Sequence, residues 1–110
     1  MTVLILMDSD GFVWTGSDFQ WPSDDTPPMT LTPEAALRTA FFLAKKYEGR
    51  PADGNIEIHL YTPSTQESQR FLCTDNACIW PRAELAFKRY TGVQLDRDTY
   101  LQWRDNPKQM

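Results

Sequence analysis

Thr32-Pro33-Glu34-Ala35-Ala36-Leu37-Arg38-Thr39-Ala40-Phe41-Phe42-Leu43-Ala44-Lys45-Lys46-Tyr47-Glu48-Gly49 is the stretch around which the rest of the chain is arranged. It has the start, the stop and the face of an amphipathic helix. The Thr32 hydroxyl can accept a hydrogen bond from a first-turn amide that has no partner inside the helix. Pro33 follows at the first helical position, where its missing N–H costs nothing. Glu34 places negative charge at the positive end of the helix dipole, and Lys45 and Lys46 place positive charge at the other end. Gly49 can take the left-handed stop conformation. Leu37, Ala40, Phe41 and Ala44 recur at the 3.6-residue period and form the apolar face.

Upstream of the helix, Thr2 to Met7 is a nearly continuous apolar run of mostly branched residues. It predicts a central strand buried on both faces. Asp8-Ser9-Asp10-Gly11 has the residues of a tight turn. Phe12 to Thr15 then predicts a returning strand, completing a hairpin. Gly16 to Leu31 carries Pro22, Pro27 and Pro28 among Asp18, Asp24 and Asp25, with no periodicity. It predicts an irregular acidic loop anchored by Phe19 and Trp21. Loops of this length are uncommon in compact domains and are often functional.

Downstream, Arg50 to Gly54 is a turn. Asn55 to Thr62 alternates, with Ile56, Ile58 and Leu60 facing the helix and Glu57, His59 and Tyr61 facing away. Pro63 ends that strand, and Ser64 to Gln69 is polar and predicts a loop. Arg70 to Cys73 and Cys78 to Trp80 predict a short hairpin that sets Cys73 opposite Cys78. Pro81 to Tyr90 predicts a second helix, because Ala83, Ala86, Phe87 and Tyr90 take the spacing i, i+3, i+4, i+7. Gly92 stops it, and Val93 can pack back onto its last turn. Asp96 caps a third helix bearing Tyr100, Leu101 and Trp103, which ends at Asn106-Pro107. This order predicts the α+β class: a small antiparallel sheet of two hairpins plus a central strand, with helices packed on one face. The 110 residues predict a single domain.

Composition narrows the function. Aromatic residues make up 13% of the chain, which argues against general disorder. Eleven Lys and Arg stand against fifteen Asp and Glu, a net charge of −4. A chain so balanced is not expected to bind nucleic acid directly, since that requires a dense basic surface. It suits a partner with a basic surface, although acidity alone also serves solubility. No apolar run reaches the roughly 20 residues of a membrane span. Val3 to Met7 is too short for a secretion signal and has no positive region before it. The expected compartment is therefore the cytoplasm, where Cys73 and Cys78 stay as thiols.

The sharpest local pattern is Val3-Leu4-Ile5-Leu6-Met7-Asp8-Ser9-Asp10-Gly11-Phe12. An apolar strand ending in Asp-x-Asp-Gly resembles the first motif of the haloacid dehalogenase-like phosphatases. The resemblance implies Asp8 as the nucleophile and Asp10 as the acid/base, with Mg²⁺ between them and Thr62 in the place of the second motif. It covers about ten residues, and no strand after Leu72 ends in the Lys or the acidic pair that the family also uses. Asp, Ser and Gly are also what a hairpin turn demands.

The other reactive side chains are few. His59 is the sole histidine, and a lone histidine is more often structural than functional. With two cysteines and one histidine, the chain offers at most three of the four N/S ligands of a structural zinc site. No metal site and no cofactor is expected, and no catalytic residues beyond Asp8 and Asp10 are suggested. Binding has the better case. Trp14, Phe19 and Trp21 lie in or beside the loop with Asp18, Asp24 and Asp25, and tryptophan is enriched at interface hot spots. The same aromatics would also serve to fill a small core.

The leading expectation is a non-catalytic binding protein that meets the basic surface of another protein. Inhibitors, immunity proteins and phage anti-defence factors are of this kind, by class-level analogy. The alternatives are a Mg²⁺-dependent phosphatase using Asp8 and Asp10, and a structural subunit of a larger assembly.

Overall fold

Five strands and three helices form among the described residues. The computed structural model describes residues 2–8, 10–23, 25–46, 56–74 and 80–106. In chain order they form β1 (Val3–Met7), β2 (Val13–Trp14), β3 (Phe19–Gln20), α1 (Pro33–Lys46), β4 (Glu57–Thr62), β5 (Glu67–Cys73), α2 (Trp80–Thr91) and α3 (Arg97–Asp105). The sheet is antiparallel with strand order β3-β2-β1-β4-β5, so the apolar strand Val3–Met7 sits at its centre as expected. The fold is α+β.

Alternation on β1 sends its side chains to two different environments. Leu4 and Leu6 face the helices and join Ile56, Ile58 and Leu72 in the main apolar cluster. Ile5 points to the opposite face and is nevertheless only 1% exposed. The register Leu4↔Leu60 and Leu6↔Ile58 puts the apolar residues of both central strands on the helix side.

Helix α1 lies on β1 and β4, α2 lies on β5, and α3 closes against both α1 and α2. The Thr32 cap forms: its hydroxyl accepts from Ala35 N at 3.3 Å, and its carbonyl accepts from Ala36 N at 2.8 Å. The buried stripe of α1 is wider than the expected one. Ala36 and Leu43 are buried with Leu37, Ala40 and Phe41, while Ala44 is half-buried. The helix lies between the sheet and α3, so a second flank is covered. Tyr100 of α3 is fully buried edge-on against Phe41, with ring centroids 5.5 Å apart. Asp96 caps α3 by accepting from Thr99 N at 3.0 Å.

Several expectations are corrected. Ser64 to Gln69 is not all loop: the turn spans 63–66, and β5 begins at Glu67. Arg70 to Cys73 belongs to β5 and pairs with β4, and Trp80 opens α2 instead of a strand. The polar residues of β5 occupy a sheet edge, where no apolar alternation is needed, so periodicity could not find them. The expected opposition of Cys73 and Cys78, the turn at Arg50–Gly54 and the Gly49 stop lie outside the described residues. Gly92 does end α2, with φ +75° and its N–H donating to Lys88 O at 3.1 Å. Val93, however, stays 40% exposed and does not fold back to a buried position. No helix among the described residues is long and apolar enough to cross a membrane.

Candidate functional site

The segment after β2 is a pinned arm. Gly16 turns the chain at φ +106°, a conformation that favours a residue without a side chain. Thr15 N donates to Asp18 O at 3.0 Å, and β3 then pairs with β2 through Val13↔Gln20 and Trp14↔Phe19. The expected irregular loop therefore contains an edge strand. At its far end, Met29 N donates to Trp14 O at 2.8 Å and Leu31 N to Leu4 O at 2.9 Å. Both ends of the arm are thus tied to the sheet, and its prolines stiffen the span between them.

The aromatic residues separate into two groups. Trp14 lies on the helix side of β2, is only 7% exposed and belongs to the core cluster. Phe19 packs on it with ring centroids 5.2 Å apart and is itself half-buried. Trp21 is the opposite case, 65% exposed although its ring meets Phe12 edge-to-face at 5.0 Å. On α3, Tyr100 is core and Trp103 is half-buried beneath the Arg38 guanidinium at 5.6 Å.

The carboxylates also differ in role. Asp18 is exposed and accepts from Gln20 Nε2 at 2.9 Å and from Thr15 Oγ1 at 3.0 Å. The Gln20 amide, followed by the Thr15 hydroxyl, holds its acidity stronger than that of an ordinary aspartate. Asp18 therefore favours the folded hairpin while ionised, and that contribution fades as pH falls through its lowered pKa. Asp25 is exposed, and Asp24 lies outside the described residues.

Asp8 is buried at the end of β1, where Oδ1 accepts from Asp10 N and from Phe12 N, both at 2.9 Å. Those bonds build the turn between β1 and β2. Asp10 is exposed on that turn. Because β1 and β4 run antiparallel with Val3↔Tyr61, Thr62 sits at the opposite end of the sheet from Asp8. The structure therefore does not bring Asp8, Asp10 and Thr62 together. Among the described residues, no three His, Cys, Asp or Glu side chains converge as metal ligands.

The sheet face away from the helices holds a group that the sequence did not single out. Glu57 and His59 are two apart on β4 and so share this face. His59 Nε2 lies 2.9 Å from Glu57 Oε1, and His59 Nδ1 lies 3.2 Å from Ser68 Oγ on β5. Arg70 Nη1 donates to the second oxygen of Glu57 at 3.4 Å. Cross-strand register explains the meeting: Arg70 is directly opposite His59 and Ser68 is opposite Tyr61, one step along the diagonal. A β-bulge interrupts the ladder between Ile58 and His59. His59 was expected on the outward face, and it is there, yet it is 8% exposed because its neighbours cover it.

Beside Ser68 is a cavity of about 560 Å³. Its floor includes Ile5, Val13 and Ser68 on the sheet, and Pro22, Ser23 and Pro28 of the arm line its other side. Gln66, which also lines it, holds a left-handed φ of 59°. One signal for this group was present in the sequence, since Glu57-x-His59 and Ser68-x-Arg70 are both polar pairs at strand spacing. Their pairing is set by the register of two strands, which no local pattern reveals.

No family model matches the chain, no curated protein matches it, and no solved structure matches it.

Proposed function

We propose that the chain is a binding protein that docks onto the basic surface of another protein through the arm, with Trp21 at the centre of the contact. The observation that carries this reading is the exposed Trp21 ring, held in place by Phe12 on a segment tied down at both ends. A large ring already fixed before binding loses little freedom on association, and tryptophan is a favoured hot-spot residue. Most large aromatics of so small a domain are needed inside, as Trp14 and Tyr100 are.

Charge distribution supports the chemistry of the partner. All eleven Lys and Arg residues lie at Arg38 or later. The chain before Arg38 carries Asp8, Asp10, Asp18, Asp24, Asp25 and Glu34 with no positive side chain. A segment of one sign steers a complementary surface into encounter and raises the association rate. Inhibitors, immunity proteins and anti-defence factors work by such contact, and this reading places the chain in that broad class.

The test is affinity capture from the native host, followed by kinetics on the captured partner. Replacing Asp18, Asp24 and Asp25 together by Asn should slow association about tenfold at low salt. The difference should vanish near 1 M salt, where screening reaches within about 3 Å. An unchanged rate at low salt would refute the electrostatic part of the proposal.

A further inference from the structure

We propose that Ser68 is an activated nucleophile that attacks small carboxylic esters entering the cavity between the arm and the sheet, with His59 Nδ1 as its general base. The inference goes beyond protein binding and stands on different residues. A nucleophile within hydrogen-bond reach of a base, itself oriented by a third group, is the arrangement that nucleophilic catalysis uses on unrelated folds. Ser68, His59 and Glu57 have it, at 3.2 Å and 2.9 Å.

The direction of proton flow follows from the partners. A carboxylate only accepts, so Glu57 fixes the proton of the neutral imidazole on Nε2. Nδ1 is then the unprotonated nitrogen, and it faces Ser68 Oγ. The second acceptor near that hydroxyl is Met7 Sδ at 3.8 Å, a thioether and far weaker. Arg70 holds the other oxygen of Glu57, which fixes the plane of the carboxylate. Glu57 is a positioning residue, while Ser68 and His59 are the catalytic pair.

The surroundings fit this chemistry. His59 is buried, whereas Ser68 is exposed and borders the cavity, so the base is shielded while the nucleophile is open. Ile5, Val13, Pro22 and Pro28 give the cavity an apolar lining suited to an alkyl acyl chain. A β-bulge beside His59 and the left-handed Gln66 two residues before Ser68 set the local geometry. Bulges and unusual backbone conformations recur near active sites.

The reaction balances without a cofactor. Ser68 Oγ bonds to the ester carbonyl carbon while its proton passes to His59 Nδ1. The carbon–oxygen bond to the alcohol then breaks, and His59 returns that proton to the departing alkoxide. Water next attacks the acyl-Ser68 carbonyl, giving its proton to His59. The acid leaves as Ser68 recovers its hydroxyl proton.

The experiment treats the full chain with an alkyl fluorophosphonate and maps the adduct by peptide mass spectrometry. Ser68 Oγ should bond to phosphorus with loss of fluoride, giving one adduct per chain on Ser68. Ser68→Ala should take none, and His59→Gln should react about 100-fold more slowly, the usual contribution of a general base. With p-nitrophenyl butyrate, Glu57→Gln should lower kcat at unchanged KM, a split that a merely structural role would not produce. No adduct on Ser68 of the unaltered chain would overturn the proposal without recourse to any variant. So would adducts spread over other residues, or an undiminished rate in a folded His59→Gln.

Discussion

The sheet has two faces, and they are built by different means. The helix face is closed by α1, α2 and α3, and its residues form one continuous apolar cluster. Beyond buried Ile5 and Val13, the other face carries a polar network on β4 and β5 and is lined by Pro22, Ser23 and Pro28 of the arm, whose Phe19 and Leu31 pack instead against the helix-side cluster. The first face supplies the apolar burial that dominates folding. The second supplies a cavity and a charged hydrogen-bond chain, neither of which a stable core requires. The contrast puts most of the apolar burial on one side of the sheet and the proposed chemistry on the other, with the proposed contact at Trp21 just beyond the edge strand β3.

The largest effect that could break this division is on the helix side. Leu37 is fully buried against the sheet, and Leu37→Ala should cost about 2–5 kcal/mol in urea unfolding. That is a large fraction of the roughly 5–15 kcal/mol that holds a typical domain. A loss below 1 kcal/mol would mean that the helix face is not the main source of stability.

The arm should respond less. Gly16 holds φ +106°, and a Cβ added there would lie 3.3 Å from Met29 Sδ. Gly16→Ala should cost about 1–3 kcal/mol through backbone strain, with the added Met29 contact pressing on the same segment. Limited proteolysis should then show cleavage within residues 16–31 before the helices are cut. Cleavage starting in the helices would show that the arm is not the more weakly held region.

The same contrast explains what could be read from the sequence. The helices were legible because their signals are local: Thr32-Pro33-Glu34 at one start, Asp96 at another, and Gly92 at a stop. The central strand was legible because Val3 to Met7 is apolar on both faces, as a two-sided burial demands. β3 was hidden because two residues, Phe19 and Gln20, have no period, and their strand exists only through pairing with Val13 and Trp14. Trp14 and Trp21 could not be told apart by type. One is core and the other surface because alternation on β2 and the path of the arm decide it. Ser68 and His59 are nine residues apart, and only the β4–β5 register makes them neighbours.

Trp21→Ala gives the most direct measurement of the central claim, because it removes the exposed large aromatic of the arm and leaves the buried apolar cluster untouched. The account predicts an unfolding midpoint equivalent to within about 0.5 kcal/mol of the unaltered chain, as for a surface position. It predicts at the same time that binding of the captured partner weakens by about 2 kcal/mol or more, roughly thirtyfold in Kd. Full binding by the variant, or a stability loss as large as that of Leu37→Ala, would contradict it.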